Sequence, residues 1–463
     1  MTSGKLFSGQ KVYSFSRGGI SFEDTSVPSR NSCATAYLPS LSVIPLLQHS
    51  GGKAYPIVTV GEMVREGMLI GRARGPGSAN VHATVPGRVI RFASWKTEGG
   101  QIQEGIVIRM EGSFEKLGKR VEFFPWEGMF PYDIQRTISD AGVVEMEGRG
   151  KPVSDIISSL RSAPEPITLV VRCVFDDPWL ASDYVLCRER TQAVAEGAAI
   201  TSRTCRVSRI IYAVSHREME LGELFVSTGD KWGIPVSVVL VGSKYPQRNS
   251  RELELVLRNF GKKEGLDLGS MIILGPSTLA AIYDAVKLKK PILERYITVG
   301  GTAVKHPQVM KVRIGTRFQD VFAECGGFKG TPKVIGVGSP LSGRTIVNLD
   351  EPVTKTCYAV FALLEEFRNS SRRRSREGCI GCGECRNVCP VGLDPEELYK
   401  RVLMGLTTGF SRNSDSAELE AGDWESIRDH YPPECHGCGC CEVVCPSGLP
   451  LSSRISASAS RGN

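Results

Sequence analysis

Two cysteine runs govern what this chain can fold around. The first, GCIGCGECRNVCP (Gly378 to Pro390), spaces Cys379, Cys382, Cys385 and Cys389 as C-x2-C-x2-C-x3-C-P. The second, ECHGCGCCEVVCP (Glu434 to Pro446), repeats that spacing with Cys435, Cys438, Cys441, Cys445 and its own proline. Three closely spaced thiolates wrap one cubane. In the bacterial two-cluster ferredoxin arrangement, which has this spacing, the fourth cysteine of each run ligates the cluster held by the other run. One [4Fe-4S] cluster is therefore expected on Cys379, Cys382, Cys385 and Cys445, and a second on Cys435, Cys438, Cys441 and Cys389. Gly381, Gly383, Gly437 and Gly439 let backbone amides approach the sulfurs, and those hydrogen bonds help set the potential. Zinc sites with four cysteine ligands use C-x2-C pairs. They give no reason for a third and fourth cysteine followed by proline in both runs.

In CGCC the spacing selects Cys441 as ligand and leaves Cys440 a spare thiol beside it. His436 is expected to sit exposed next to the cluster. Between the runs, Leu393 to Leu406 reads as a helix: Asp394 caps it, Pro395 takes its first turn, and Leu398, Val402 and Leu406 recur every four residues. Thr407 to Glu425 is polar and reads as irregular. Nothing in this module resembles a catalytic base; it conducts.

Nine of the 15 cysteines fall after residue 378, in a chain of 463 residues with no apolar stretch suited to a secretory leader. Metal ligation in a reducing compartment fits that usage better than disulfides do. Cys33, Cys173, Cys187, Cys205, Cys325 and Cys357 stand singly and read as buried small hydrophobes. The longest apolar runs are strand-sized, far short of the roughly 18 residues that a membrane span needs, so a cytoplasmic chain is expected. The net charge of +7 is densest at Arg372 to Arg376. Without a basic face interleaved with aromatics or a known reading module, nucleic acid is not the expected partner. The run is either a solvated linker or a contact with an acidic protein or anionic headgroups.

Upstream, Val58 to Gly71 and Val81 to Phe92 read as short alternating strands around glycine turns. They resemble the barrel-sandwich of biotinyl and lipoyl carriers, but ATVPG offers no lysine for a swinging arm. His49 and His82 read as structural, hydrogen-bonded histidines. From Gly128 to Leu293 helical and strand patterns alternate, as in an α/β domain with a largely parallel sheet. PITLVVRCVF and SRIIYAVS are strands there, and TQAVAEGAAITSR is a helix. No Walker motif is present, and no clean G-x-G-x-x-G follows a strand. Ile297 to Gly327 reads as a small mixed fold of β-grasp size, and Tyr358 to Phe367 as a helix leading into the arginine-rich linker.

This order of segments resembles the C subunits of the Rnf complexes, the ion-translocating ferredoxin:NAD oxidoreductases of bacterial membranes. The likeness covers nearly the whole chain and rests on SRGGI, IPLLQHSGG, VHATVPG, YPQ, ITVGG and RIGT together with the cysteine runs. It implies a multidomain α/β architecture in five parts. These are a barrel-sandwich domain over 1–125, a domain like the flavin subunit of respiratory complex I over 126–293 and a β-grasp segment over 294–355. A helix and linker over 356–377 and a two-cluster ferredoxin-like module over 378–463 complete it. It also implies a peripheral subunit on the cytoplasmic side of the inner membrane. Its partners would be membrane subunits of an Rnf-type complex and a soluble ferredoxin or flavoprotein.

The departures from the family concern FMN and NADH. The family's cofactor loop, roughly GIVGLGGAGFPT, is here GVVEMEGRGKPV, with Gly142, Gly148 and Gly150 retained but Glu145, Glu147, Arg149 and Lys151 introduced. The family's ECEP is here FDDP, which leaves Asp176 and Asp177, and YPQGGEKQL is here YPQRNSRELE. Gly142, Gly148, Gly150 and Asp176 are thus the remnant FMN/NADH site. Added side chains and like charge obstruct a phosphate there, unless Arg149, Lys151 and Arg248 compensate. Three readings follow: an NADH-oxidising entry subunit, a non-enzymatic ferredoxin-type adaptor fed by another donor, or a scaffold with structural clusters.

Overall fold

The structure is a computed structural model that describes residues 9–22, 28, 30–96, 102–114, 121–148, 150–365, 378–408 and 435–460. Arg149 and the run Arg372 to Arg376 lie outside these, as does most of Thr407 to Glu425.

The α/β unit is built on four parallel strands in the spatial order Val236–Val241, Arg209–Ser215, Ile167–Cys173, Ser270–Leu274. Ile167–Cys173 is buried at all seven positions, as a strand covered on both faces must be. Leu169 and Val171 pack into a core shared with the helices Thr191–Cys205 and Pro276–Lys287. Val170 packs on the opposite face with Leu253 and Val256 of the helix Ser250–Glu264. A Cβ at Gly197 would lie 2.0 Å from the Leu279 carbonyl oxygen, so the first two helices approach this closely only with glycine there. In chain order the strands run third, second, first, fourth. The progression therefore reverses between Ile167–Cys173 and Ser270–Leu274, and in open parallel sheets ligands bind at the carboxyl ends beside such a reversal.

The front segment forms two small antiparallel sheets around Ile44, Ile70, Val89 and Ile106, the barrel-sandwich that alternating strands and glycine turns led us to expect. Residues before it run elsewhere. Tyr13 bridges to Val241 and Ile20 to Tyr245, while Cys33–Thr35 joins the edge of a six-stranded sheet. The expected helix at Tyr358 to Phe367 is instead a strand, Ala359–Leu363, buried at every position. It pairs with Glu294–Gly300 and Val334–Val337 inside the six-stranded sheet, and burial on both faces overrides the helical propensity of Ala, Leu and Glu. The helix read between the cysteine runs is present at Pro395–Thr408, with Asp394 Oδ1 accepting the Glu397 N–H at 3.3 Å. It packs on Leu451–Ser460. No helix among the described residues is long and apolar enough to cross a membrane.

Candidate functional site

The cysteine module is pseudo-symmetric because its two runs have the same local sequence. Each run has two glycines at positive φ, Gly381 and Gly383 in one, Gly437 and Gly439 in the other. Each then turns into a short helix, Glu384–Asn387 or Cys440–Val444. The Leu393 N–H donates to Cys389 Sγ at 3.2 Å, and the Leu449 N–H donates to Cys445 Sγ at 3.4 Å. The fourth cysteines cross over. Cys445 lines a cavity with Cys379, Cys382 and Cys385, and Cys389 lines a second one with Cys435, Cys438 and Cys441. No group of three or more His, Cys, Asp or Glu among the described residues is placed to hold a single metal ion. Each set of four thiols lines a hollow of its own, the layout that a cubane needs.

The two cavities face different surroundings. Cys379 and Cys382 are exposed, next to an Ile380 that is 60% exposed. The second cavity lies against the rest of the chain. The Tyr245 hydroxyl donates to the Cys438 carbonyl oxygen at 2.7 Å, and the Gly19 N–H donates to the Val388 carbonyl at 2.8 Å. Gly439, at φ +82°, would bring a Cβ within 2.1 Å of the Leu341 carbonyl. Cys440 is buried beside Tyr245 and Leu341. His436, expected to be exposed, is largely buried, with its Nε2 3.0 Å from Glu252 Oε1. The other six cysteines are buried, apart from the half-buried Cys33.

Of the residues that the resemblance points to, Gly142, Gly148 and Gly150 lie on one loop and Asp176 lies past the carboxyl end of the strand Ile167–Cys173. The loop from Val143 closes on itself through a bridge between Val144 and Pro152. Gly142 and Gly150 have positive φ, and Cβ atoms there would meet the Asn80 carbonyl at 2.2 Å and Thr356 Cγ2 at 2.8 Å. At Gly148 a Cβ would lie 2.1 Å from Glu145 Oε1, so that carboxylate folds over the loop. Asp176 follows the central strand; its Oδ2 accepts the Arg248 N–H at 3.0 Å, its Oδ1 has no partner, and burial pushes its carboxyl up to about 7. Asp177 is buried too and likewise raised by burial.

One residue that sequence reasoning passed over joins two of the three divergent elements, the Glu147 loop and the Arg248–Ser250 stretch. Arg172, 8% exposed, donates to the carbonyls of Arg248 and Glu147 and to Ser250 Oγ. Arg295, buried as well, donates from Nη2 to the Met146 carbonyl at 2.8 Å and from Nη1 to the Lys355 carbonyl. Lys355, 1% exposed, donates to the Asn80 and Gly142 carbonyls at 2.6 and 2.8 Å. His49 and His82 are the structural histidines expected, lowered mainly by burial to about 4 and about 3, and His49 Nε2 accepts the Ala79 N–H.

Comparison with known proteins follows this layout from end to end. Residues 14–113 match the RnfC barrel sandwich hybrid domain and 138–284 the Nuo51 FMN-binding domain. Residues 296–341 match the SLBB domain and 375–449 the 4Fe-4S dicluster domain. The C subunit of the ion-translocating oxidoreductase complex of Rhodobacter capsulatus is 31% identical over 409 residues, spanning 87% of this chain and 78% of that protein. The chain belongs to the RnfC family. A second RnfC relative, from the proton-translocating ferredoxin:NAD(+) oxidoreductase complex of Clostridium ljungdahlii, is 30% identical over 390 residues, covering 82% of this chain and 83% of its own. The counterpart from the Na(+)-translocating complex of Acetobacterium woodii is 27% identical over 361 residues, covering 77% and 80%. As an RnfC-like electron-transfer subunit, the chain carries two [4Fe-4S] clusters, and the crossed thiol cavities fit them. The helix terminus beside the crevice is not open to an FMN phosphate as it stands, because the Glu147 carboxylate occupies it.

Proposed function

We propose that this chain is the electron-transfer subunit of an Rnf-type membrane complex, docked peripherally on the cytoplasmic side of the membrane. One cluster is held by Cys379, Cys382, Cys385 and Cys445, and the other by Cys435, Cys438, Cys441 and Cys389. The observation that carries this reading is the crossing of Cys445 and Cys389 into each other's cavities. Bound there, the two cubanes supply one-electron exchange at potentials tuned by hydrogen bonds to their sulfurs. The residues do the rest. The thiols anchor, the Leu393 and Leu449 amides donate to the fourth sulfurs, and Tyr245, Leu341 and Cys440 keep water from the second cavity. The exposed Cys379–Cys382 face is where a redox partner comes close, either a membrane subunit of the complex or a soluble ferredoxin or flavoprotein. Among the described residues of the cluster module nothing is arranged as an acid–base pair, in keeping with a module that conducts.

The test is a set of single Cys→Ser replacements read by electron paramagnetic resonance of the dithionite-reduced protein. C445S and C379S should lose or alter one and the same signal, and C389S and C435S the other. If C389S instead matches C379S, the crossed assignment is wrong.

An adaptor without NADH-oxidising activity is the form of this function that the crevice favours. Arg172 and Asp176 hold the divergent loops to one another and leave the α/β unit acting as the seat of the second cavity. The electron donor is then another protein.

A further inference from the structure

The helix Pro276–Lys287 starts at the strand reversal, directly after Ser270–Leu274. Its capping residue, Gly275, has no side chain with which to satisfy the free amides, and such a terminus, with its partial positive charge, favours a phosphate or carboxylate. In this chain the anion is built in. Glu147 Oε1 accepts the Thr278 N–H at 2.9 Å, and Oε2 is bonded to the Thr278 hydroxyl. The carboxylate belongs to a residue 8% exposed and 131 positions away along the chain. A Cβ on Gly275 would lie 2.3 Å from Glu147 Cδ, so the glycine admits the carboxylate.

The loop that carries Glu147 is fastened in this position. The Met146 N–H donates to Thr278 Oγ1 at 2.9 Å. Arg295 and Arg172 hold the carbonyls of Met146 and Glu147. Burial raises the Glu147 carboxyl, and Asp183 adds to this; Arg172, the Thr278 bond and Arg295 oppose it. Two buried guanidinium groups beside a helix N-terminus make a setting for a dianionic phosphate, and one side-chain carboxylate sits in it.

We propose that Glu147 is an intramolecular stand-in for a mononucleotide phosphate, which caps the helix from within and closes the crevice to FMN. The inference goes beyond the cluster assignment and does not rest on it. Removing the carboxylate frees the Thr278 amide and hydroxyl and leaves Arg172 and Arg295 nearby, so the terminus regains its preference for an external anion.

The experiment compares the full-length cluster-loaded chain with Glu147→Ala and Glu147→Gln. Flavin content is measured after purification, and affinity by titration with FMN and with riboflavin, its phosphate-free counterpart. The wild-type chain should carry no flavin and discriminate little between the two. E147A should gain at least about tenfold in FMN affinity, the equivalent of one good charged hydrogen bond, with no matching gain for riboflavin. E147Q keeps the shape without the charge and guards against a folding failure of E147A. It should shift preference toward FMN in the same direction, with cluster spectra unchanged. Stoichiometric FMN in the wild-type chain overturns the proposal. So does a folded E147A or E147Q, with intact cluster spectra, that binds FMN no better than wild type.

Discussion

Replacing Lys355 with Met makes a quantitative test of how the front of the molecule is joined. The Lys355 amine bonds the barrel-sandwich domain at the Asn80 carbonyl and the divergent loop at the Gly142 carbonyl, with no carboxylate beside it. Burial alone brings its pKa down from 10.5 to about 7. The sign follows from proton counting. Between about pH 7 and 10.5 the unfolded lysine holds a proton that the folded one has given up, so stability rises with pH in that window. Below about pH 7 both states are protonated and the slope vanishes. Each pH unit inside the window is worth about 1.4 kcal/mol, so moving from pH 7 to pH 9 adds roughly 2–3 kcal/mol to the wild type and nothing to K355M. His49 and His82, the titratable groups that feel this amine, are already neutral throughout the window. Asp176 titrates near the foot of the window but does so in both proteins, and cancels in the difference.

The assay is anaerobic thermal melting at one fixed scan rate, since a multidomain cluster protein unfolds irreversibly. At about 2–4 °C per kcal/mol for a domain of this size, the melting temperature of wild type minus that of K355M should grow by roughly 4–12 °C between pH 7 and pH 9. It should stay flat from pH 6 to pH 6.5. A difference that is constant across pH 6 to 9 would refute the reasoning, because it would mean the amine is charged or solvated in the folded chain.

Other outcomes follow from single contacts. Y245F removes the bond to the Cys438 carbonyl; losing about 1.4 kcal/mol of polarisation next to one cluster should lower that cluster's potential by up to about 60 mV in a redox titration and leave the other in place. G439A forces a side chain to φ +82° against the Leu341 carbonyl, and should destabilise the second cluster selectively, seen as faster loss of its signal on exposure to an iron chelator. G197A drives a methyl into the Leu279 carbonyl, and should cost about 1–3 kcal/mol by overpacking, read as a lower melting temperature with both cluster signals retained below it.

What the sequence disclosed, and what it hid, has a physical pattern. The cysteine runs were legible because cluster ligation imposes fixed short spacings. The buried strand Ile167–Cys173 was legible because a strand covered on both faces must be continuously apolar. Ala359–Leu363 was misread because YAVFALLEEF satisfies a helical pattern as well as a buried strand, and its strand partners lie far away in sequence. His436 was placed in solvent because its partner Glu252 is 184 positions distant. The charge of Glu147 was recognised as hostile to phosphate. That it takes the helix terminus itself depends on Thr278, and no local signal ties the two together. Arg172, Arg295 and Lys355 stand in no motif, and the carbonyls they hold lie 76, 149 and 275 positions away along the chain.

Conduction through two cubanes held by crossed thiol sets can be tested on the whole RnfC chain. Its most direct test is iron and acid-labile sulfide analysis of anaerobically purified protein, followed by spectroscopy on stepwise reduction with dithionite. About eight iron and eight sulfide per chain are expected, with two one-electron steps and, when fully reduced, a signal broadened by interaction between two neighbouring spins. Zinc in place of iron, sulfide for only one cluster, or iron that dithionite leaves unreduced would contradict it.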